Sequence, residues 1–333
     1  MSSRVTRREV LQTAGLAAAT ALLGGRSLPA ALGDPPPIQP GSPRRPALRI
    51  AHLTDLHVQP ERRAAEGFAA CLRHIQSQPD PAELILTGGD LVMDSFEATF
   101  DRTKLQWDLF TRVLKDECGL PVEHCLGNHD IWGGNKKKSG ATGDEPQYGK
   151  KWALEVLGLE SPYRSFDRAG WHFVVLDSVS PNADGYIGTL DEAQMDWLRA
   201  DLAGVPASTP VLVLSHIPIL AACVLNDPQG TGEKDGEWRV SARLMLANSR
   251  KIRMLFAERG NVKLCLSGHI HLVDRVDYAG VSYVCDGAVS AKWWRGVHYE
   301  CHEGYGRIDL YADGTWEHRY VPYGWVAEAN ADA

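Results

Sequence analysis

Five short segments carry side chains of the kind that hold metal ions. They are Asp55-Leu56-His57, Gly89-Asp90, Gly127-Asn128-His129-Asp130, His216 and Gly268-His269-Ile270-His271. In Asp-x-His and His-x-His the two polar residues lie two positions apart, which places them on one face of an extended strand. The glycines before Asp90, Asn128 and His269 allow the backbone to bend sharply there. The donors are carboxylate, carboxamide and imidazole, with no thiolate among them. That set suits Mn, Fe, Zn or Co, and so many imidazoles make Mg a poorer match. Asp-x-His, Gly-Asp and a lone His after a strand are each common, whereas Gly-Asn-His-Asp and Gly-His-x-His are rarer. Five in this order, each after a strand-like segment, form a much more specific signal.

The elements around them alternate. Strand patterns cover Leu48 to Val58, Glu83 to Met93, Val122 to Leu126, Val211 to Leu214 and Val262 to Leu266. Helical spacing covers Arg62 to Gln76, Ala98 to Lys115, Leu190 to Leu202 and Arg243 to Glu258. Tyr163 to Phe166 and Trp171 to Val179 read as a hairpin across Arg168-Ala169-Gly170. Lys136 to Gly149 is polar and reads as a loop insert. From Leu272 onward strands and turns dominate, with Arg307 to Tyr311 and Thr315 to Val321 flanking Ala312-Asp313-Gly314. Such alternation predicts two sheets with helices outside, and sites at the strand ends.

On these five segments the chain resembles the calcineurin-like metallophosphoesterase superfamily. The family pattern is Asp-x-His, Gly-Asp, Gly-Asn-His-Asp or Glu, His, and Gly-His-x-His. The resemblance implies an α/β fold, a four-layer αββα sandwich with two central mixed β-sheets. It implies two divalent or mixed-valence metal ions per chain. By that likeness Asp55, His57, Asp90 and His271 hold one ion, and Asp90, Asn128, His216 and His269 hold the other. The shared Asp90 would reduce the repulsion between two cations about 3.5 Å apart. The implied activity is hydrolysis of phosphodiesters or small phosphomonoesters by attack of a metal-bridging hydroxide. His129 would then act on the substrate as a catalytic residue. Asp130 either orients that imidazole or shapes the turn.

Purple acid phosphatases carry a ferric-ligating tyrosine three residues after the Gly-Asp carboxylate. Met93 stands there, which argues against ferric-tyrosinate chemistry. The chain looks more like the bacterial branch that includes cyclic-nucleotide and glycerophosphodiester phosphodiesterases. Two other readings are an exported nucleotide or lipid-pyrophosphate hydrolase of the same fold, and a non-catalytic metal-binding scaffold. The first turns on the pocket around Trp293 and the 131–150 insert. The second should have lost ligands, and none is missing. Lys292, Trp293, Trp294 and Arg295 form a further cluster. It either packs under the C-terminal strands or makes a substrate-binding rim, where aromatics stack a base or a glycerol-like group and a cation meets a second phosphate substituent.

The 333 residues carry a net charge of -7, so bulk charge does not suit nucleic-acid binding. Residues 1–31 read as a twin-arginine signal peptide: Arg7-Arg8, a mild apolar run to Gly25, then small residues. The run is too short and too weakly apolar for a stable transmembrane segment. This reading implies the twin-arginine translocation machinery as a partner, export in the folded state, and a periplasmic or secreted destination. Residues 32–46 form a Pro-rich spacer, 47–325 the metallophosphoesterase domain, and 326–333 a C-terminal tail. Seven cysteines leave at least one unpaired within a monomer. Cys118 with Cys125, and Cys285 with Cys301, are the pairings open in an oxidising compartment.

Overall fold

The computed structural model describes residues 44–228 and 230–328. The twin-arginine segment, most of the Pro-rich spacer and the last five residues lie outside the described residues. Among those described, no helix is long and apolar enough to cross a membrane.

In chain order the elements begin β1 (Leu48–Leu53), α1 (Ala64–Gln76), β2 (Leu84–Gly88), α2 (Phe100–Glu117), β3 (Val122–Cys125), α3 (Lys136–Ser139) and α4 (Lys151–Leu157). They continue β4 (Arg164–Arg168), β5 (Trp171–Val175), β6 (Val179–Asn182), β7 (Gly185–Gly188), α5 (Glu192–Gly204) and β8 (Val211–Leu214). The remainder is β9 (Thr231–Lys234), β10 (Glu237–Val240), α6 (Ser249–Arg259), β11 (Val262–Ser267), β12 (Asp274–Tyr278), β13 (Val281–Cys285), β14 (Gly304–Leu310) and β15 (Trp316–Pro322). One mixed sheet runs β15-β14-β1-β2-β3, and the second runs β12-β13-β11-β8-β5-β4.

Strand alternation explains the layers. Ile50, Leu84, Leu86, Phe173, Leu212, Leu214, Leu264 and Leu266 pack into one core made of strand residues from both sheets. Their neighbours point the other way. Ala51, Leu53 and Ile85 meet Phe68, Leu72, Phe110 and Val113 of α1 and α2. Val174, Val213 and Cys265 meet Leu198, Leu202, Ile252 and Phe256 of α5 and α6. Three cores between four layers give the helix–sheet–sheet–helix sandwich that the family resemblance implies.

Several boundaries differ from the sequence reading. The first two strands are shorter, because the chain leaves the sheet before each ligand-type residue. Arg243 to Asn248 is not helical. There the backbone N–H of Leu246 bonds to the Pro218 carbonyl and that of Ala247 to the Gly188 carbonyl, so α6 begins only at Ser249. The polar insert carries the one-turn α3. The two-stranded sheets β6-β7 and β9-β10 carry no clear periodic signal: all four strands are four residues long, β9-β10 is mostly exposed, and β6-β7 is mostly half-buried without alternation. All seven cysteines are free thiols. Neither pairing open from the sequence forms, and the Cys301 sulfur instead accepts the Val273 N–H at 3.3 Å.

Candidate metal centre

The five segments converge at the C-terminal ends of β1, β2, β3, β8 and β11. Asp55 and His57 follow β1, Asp90 follows β2, Asn128 follows β3, His216 follows β8, and His269 and His271 follow β11. Five of these seven residues have left-handed backbone: Asp55 (φ 56°), His57 (φ 45°), Asp90 (φ 53°), His269 (φ 73°) and His271 (φ 60°). The bend therefore falls on the functional residues themselves. Of the glycines before them, Gly89 is left-handed, but Gly127 and Gly268 are present for space. A Cβ on Gly127 would lie 2.1 Å from Asp90 Oδ1, and one on Gly268 would lie 1.8 Å from Thr54 Oγ1 and 2.4 Å from Asp55 Oδ2.

Three overlapping groups of donors result: Asp55, His57 and His271; His57, Asp90 and His129; and Asp90, His216 and His269. In the first, His57 Nε2 lies 3.1 Å from His271 Nε2, and Asp55 Oδ1 lies 3.3 Å from His271 Nε2. In the third, His216 Nε2 lies 3.2 Å from Asp90 Oδ2 and 3.2 Å from His269 Nδ1. Asn128 Oδ1 stands 3.1 Å from His216 Nε2. Ligands about 2.1 Å from one ion are separated by about 3 Å, so these spacings suit a cation.

The surroundings fix the donor atoms. His271 Nδ1 donates to the Ala291 carbonyl at 2.6 Å, His216 Nδ1 to the Gly88 carbonyl at 2.8 Å, and His269 Nε2 to the Arg243 carbonyl at 2.8 Å. Each bond turns the other ring nitrogen to the cluster, where its lone pair serves a cation once no proton holds it. Asp55 Oδ2 accepts the Thr54 hydroxyl and the His269 N–H. Its Oδ1 is buried, faces the imidazoles and has no hydrogen-bond partner. A buried carboxylate oxygen left bare among imidazole nitrogens is the feature a bound cation would satisfy.

Electrostatics agree. Burial works against ionisation of Asp90, yet His216 and His129 hold its carboxyl well below the usual range. Burial likewise opposes Asp55, and His271 more than offsets it. His57 is pushed down by burial and by His129, and His269 to about 4 by burial and His216. Burial also works against a charge on His216, but Asp90 raises it to about 9. A proton on His216 thus stands where a cation would sit. Binding must expel it, so Mn²⁺ affinity is expected to rise with pH up to about 9 and level off above it. Calorimetry in buffers of different ionisation enthalpy measures the released proton. Binding that is independent of pH and releases no proton would remove His216 from the ligands.

Residues 48–273 match the calcineurin-like phosphoesterase family. The chain belongs to that family. The phosphoesterase is 26% identical to a 3',5'-cyclic-nucleotide phosphodiesterase of Nostoc, over 83% of this chain and 93% of that one. It is 24% identical to the 3',5'-cyclic adenosine monophosphate phosphodiesterase CpdA of Escherichia coli, over 80% and 87%. Among solved structures it is similar to a dimetal phosphatase from Danio rerio, with a TM-score of 0.55, 16% identity, and 80% and 93% of the two chains covered. It is a metallophosphoesterase, a hydrolase of phosphoric esters.

A cleft of about 420 Å³ opens over the centre of the phosphoesterase. His129 lines it, with Nε2 3.9 Å from Asp90 Oδ2. Asp130 does not touch this imidazole, whose Nδ1 donates to the Met93 carbonyl. Asp130 is fully buried and accepts the backbone N–H groups of Leu91 and Gly127, each at 2.8 Å. It ties two ligand loops together, so of the two roles open from the sequence it has the turn-shaping one, and its assignment beside His129 among the catalytic residues is corrected. Burial and the nearby Asp90 charge raise its carboxyl to about 7.

The tryptophan pair divides. Trp293 lines the cleft. Trp294 is fully buried, donates its indole N–H to the Leu56 and His57 carbonyls at 2.9 and 3.1 Å, and lies against Gly67 of α1. It is a core residue, and Trp294→Ala is expected to cost roughly 3–5 kcal/mol of stability in denaturant melts. Lys292 and Arg295 are exposed and do not line the cleft. Nor does the 131–150 insert, where Lys138 pairs with Glu97. Asn226, Asp227, Pro228, Gly230, Ser241, Arg243 and Leu244 also line the cleft. There the Arg243 guanidinium lies over the Tyr186 ring at 4.7 Å. Spacing placed Arg243 inside a helix, and Tyr186 carries no motif, so neither was legible as a site residue.

Proposed function

We propose that this phosphoesterase is a dinuclear phosphodiesterase acting on small phosphodiesters, with activity on small phosphomonoesters as well. The observation that carries the reading is the position of Asp90. Its Oδ2 lies 3.8 Å from His57 Nε2 and 3.2 Å from His216 Nε2, between the donors of both groups. On this reading Asp55, His57, Asp90 and His271 hold one ion, and Asp90, Asn128, His216 and His269 hold the other. The donor set favours Mn, Fe, Zn or Co. Bound there, two such ions supply Lewis acidity and make a water nucleophilic near neutral pH.

The chain's own residues do the rest. His129, held through Nδ1 by Met93, presents Nε2 to the cleft. Protonated there, it donates to the departing oxygen. Arg243, the one Lys or Arg side chain among the described cleft residues, adds positive charge for an anionic ester. The names of the Nostoc and Escherichia coli relatives favour diesters over monoesters. The test is a hydrolysis panel on Mn-loaded protein: bis-p-nitrophenyl phosphate, p-nitrophenyl phosphate, cyclic nucleotides, glycerophosphodiesters and pyrophosphates. Faster turnover of every monoester than of every diester would overturn the diester assignment.

The same reading includes export. Arg7-Arg8 with its apolar run supports passage through the twin-arginine route to the periplasm or beyond. Replacing both arginines by lysine is expected to leave the protein in the cytoplasm on cell fractionation. Normal export of that double variant would remove the assignment.

A further inference from the structure

Three cysteines meet behind the loop that carries His269 and His271. Cys223, Cys285 and Cys301 belong to one small core with Ile270 and Leu272. Cys285 ends β13 and stands opposite Asp274 across the β12–β13 ladder, so the two side chains share a face of the sheet. The Asp274 carboxylate accepts the backbone N–H groups of Ala222 and Cys223 at 2.6 and 2.9 Å. Asp274 therefore holds Cys223 beside Cys285. The Cys285 sulfur is in hydrogen-bond contact with that of Cys223, and it also lies 3.2 Å from the Gly268 carbonyl.

The third thiol has another task, because the Cys301 sulfur accepts the Val273 N–H. Among the described residues the three sulfurs do not form a group close enough to hold one ion together. Cys223 and burial hold the Cys285 thiol well above its ordinary range. Cys285 is 1% exposed. Cys223 is 7% exposed and heads the segment that runs into Asn226, Asp227 and Pro228 of the cleft. A reagent from solution therefore meets Cys223 first. A thiol is a weak hydrogen-bond donor, so two touching thiols hold each other only weakly until they are oxidised.

We propose that Cys223 and Cys285 form a disulfide that staples the start of this cleft segment to β13, behind the His269–His271 loop. The oxidant is a small-molecule disulfide. The Cys223 thiolate attacks one of its sulfurs, its S–S bond breaks, and a mixed disulfide forms as one thiol departs. The Cys285 sulfur then attacks that of Cys223, the mixed bond breaks, and the second thiol departs with the Cys285 proton. The two cysteines lose two electrons and two protons, which reduce the small disulfide to two thiols. The Gly268 carbonyl is not orphaned, because it also accepts the Ile270 N–H at 2.9 Å. The link closes a long loop, so it restricts the unfolded chain strongly. Oxidising compartments supply such disulfides, but the reaction does not depend on the export reading.

The test equilibrates the full chain in an oxidising glutathione buffer, beside the same buffer made reducing. Free thiols are then alkylated in denaturant, and peptide mapping by mass spectrometry shows which cysteines are joined. Most oxidised chains are expected to carry a Cys223–Cys285 link, and reduced chains none. Oxidation should raise the Tm of the native chain by roughly 5–10 °C and leave that of Cys223→Ser unchanged. Cys301→Ser should still form the link. Native chains whose Cys223 and Cys285 stay free would overturn the proposal. So would chains in which Cys223 stops at the mixed glutathione disulfide, or in which Cys285 joins Cys301. A link that leaves the native Tm unchanged would overturn the stapling role. Mapping of the native chain decides the pairing even where a variant fails to fold.

Discussion

With the two ions proposed above, Asp90→Ala is expected to strip the phosphoesterase of both and to abolish turnover. Asp90 is nearly inaccessible to solvent, and its two oxygens have separate tasks. Oδ1 accepts the His129 N–H at 2.8 Å, which fixes the carboxylate plane. Oδ2 faces His57, His129 and His216. Alanine removes the anion common to the second and third donor groups and leaves the imidazoles around it facing one another across a gap. Outer-shell partners of a metal are worth about 10- to 100-fold in affinity, so loss of a shared ligand should exceed 100-fold for each ion. Metal analysis after dialysis, paired with a melting curve, separates this from unfolding. Native protein should approach two ions per chain. Asn128→Ala should weaken mainly one, since its Oδ1 stands by His216. A native chain that saturates at one ion under varied loading would overturn the dinuclear assignment.

The second large effect is expected at His129. Its ring is 28% exposed, whereas His57, His216 and His271 are almost wholly enclosed. Its Nδ1 is committed to the Met93 carbonyl, so only Nε2 can act. His129→Ala should keep both metals and the fold, and should lose roughly 10²–10⁴-fold in rate if Nε2 protonates the departing oxygen. The loss should be largest with alkyl leaving groups and smallest with p-nitrophenol, whose anion departs without a proton. A uniform loss across leaving groups would assign His129 to charge stabilisation instead. Loss of a metal ion would make it a ligand, a role that its position with His57 and Asp90 also suits. Undiminished turnover of alkyl esters would remove it from the mechanism.

Much of this centre was legible because each donor segment is short, follows a strand, and keeps its donors within a few residues of one another. The exit of β1 illustrates this: Ile50 and Leu53 announce the strand, and Asp55 and His57 follow. What escaped reading depends on distant chain segments. Adjacent tryptophans leave a loop in different directions, and nothing local says that Trp294 is the one to meet Gly67. Arg243, Leu244 and Leu246 have helical spacing, but their backbone partners lie at Gly188 and Pro218, which only the folded chain supplies. Asp130 looked like an imidazole partner because it follows His129. In the fold the two side chains diverge, and a backbone carbonyl from the Asp90 loop holds the ring instead. The polar insert reads as a loop and lies outside the cleft lining, whereas segments around Asn226 and Arg243, which carry no motif, do line it.

The left-handed backbone at Asp55, His57, Asp90, His269 and His271 bears on how this protein can be improved. Selection for heat resistance tends to find positions where side chain and backbone disagree. Glycine adopts left-handed geometry without the steric penalty of a Cβ. A stability screen blind to activity should therefore be drawn toward glycine at these five sites, each replacement relieving a local conflict while deleting a donor atom. Thermostable variants selected without a turnover assay are expected to accumulate inert molecules for this reason. A library meant to keep the enzyme working would hold these codons constant and seek its gains in the helices on the outer layers.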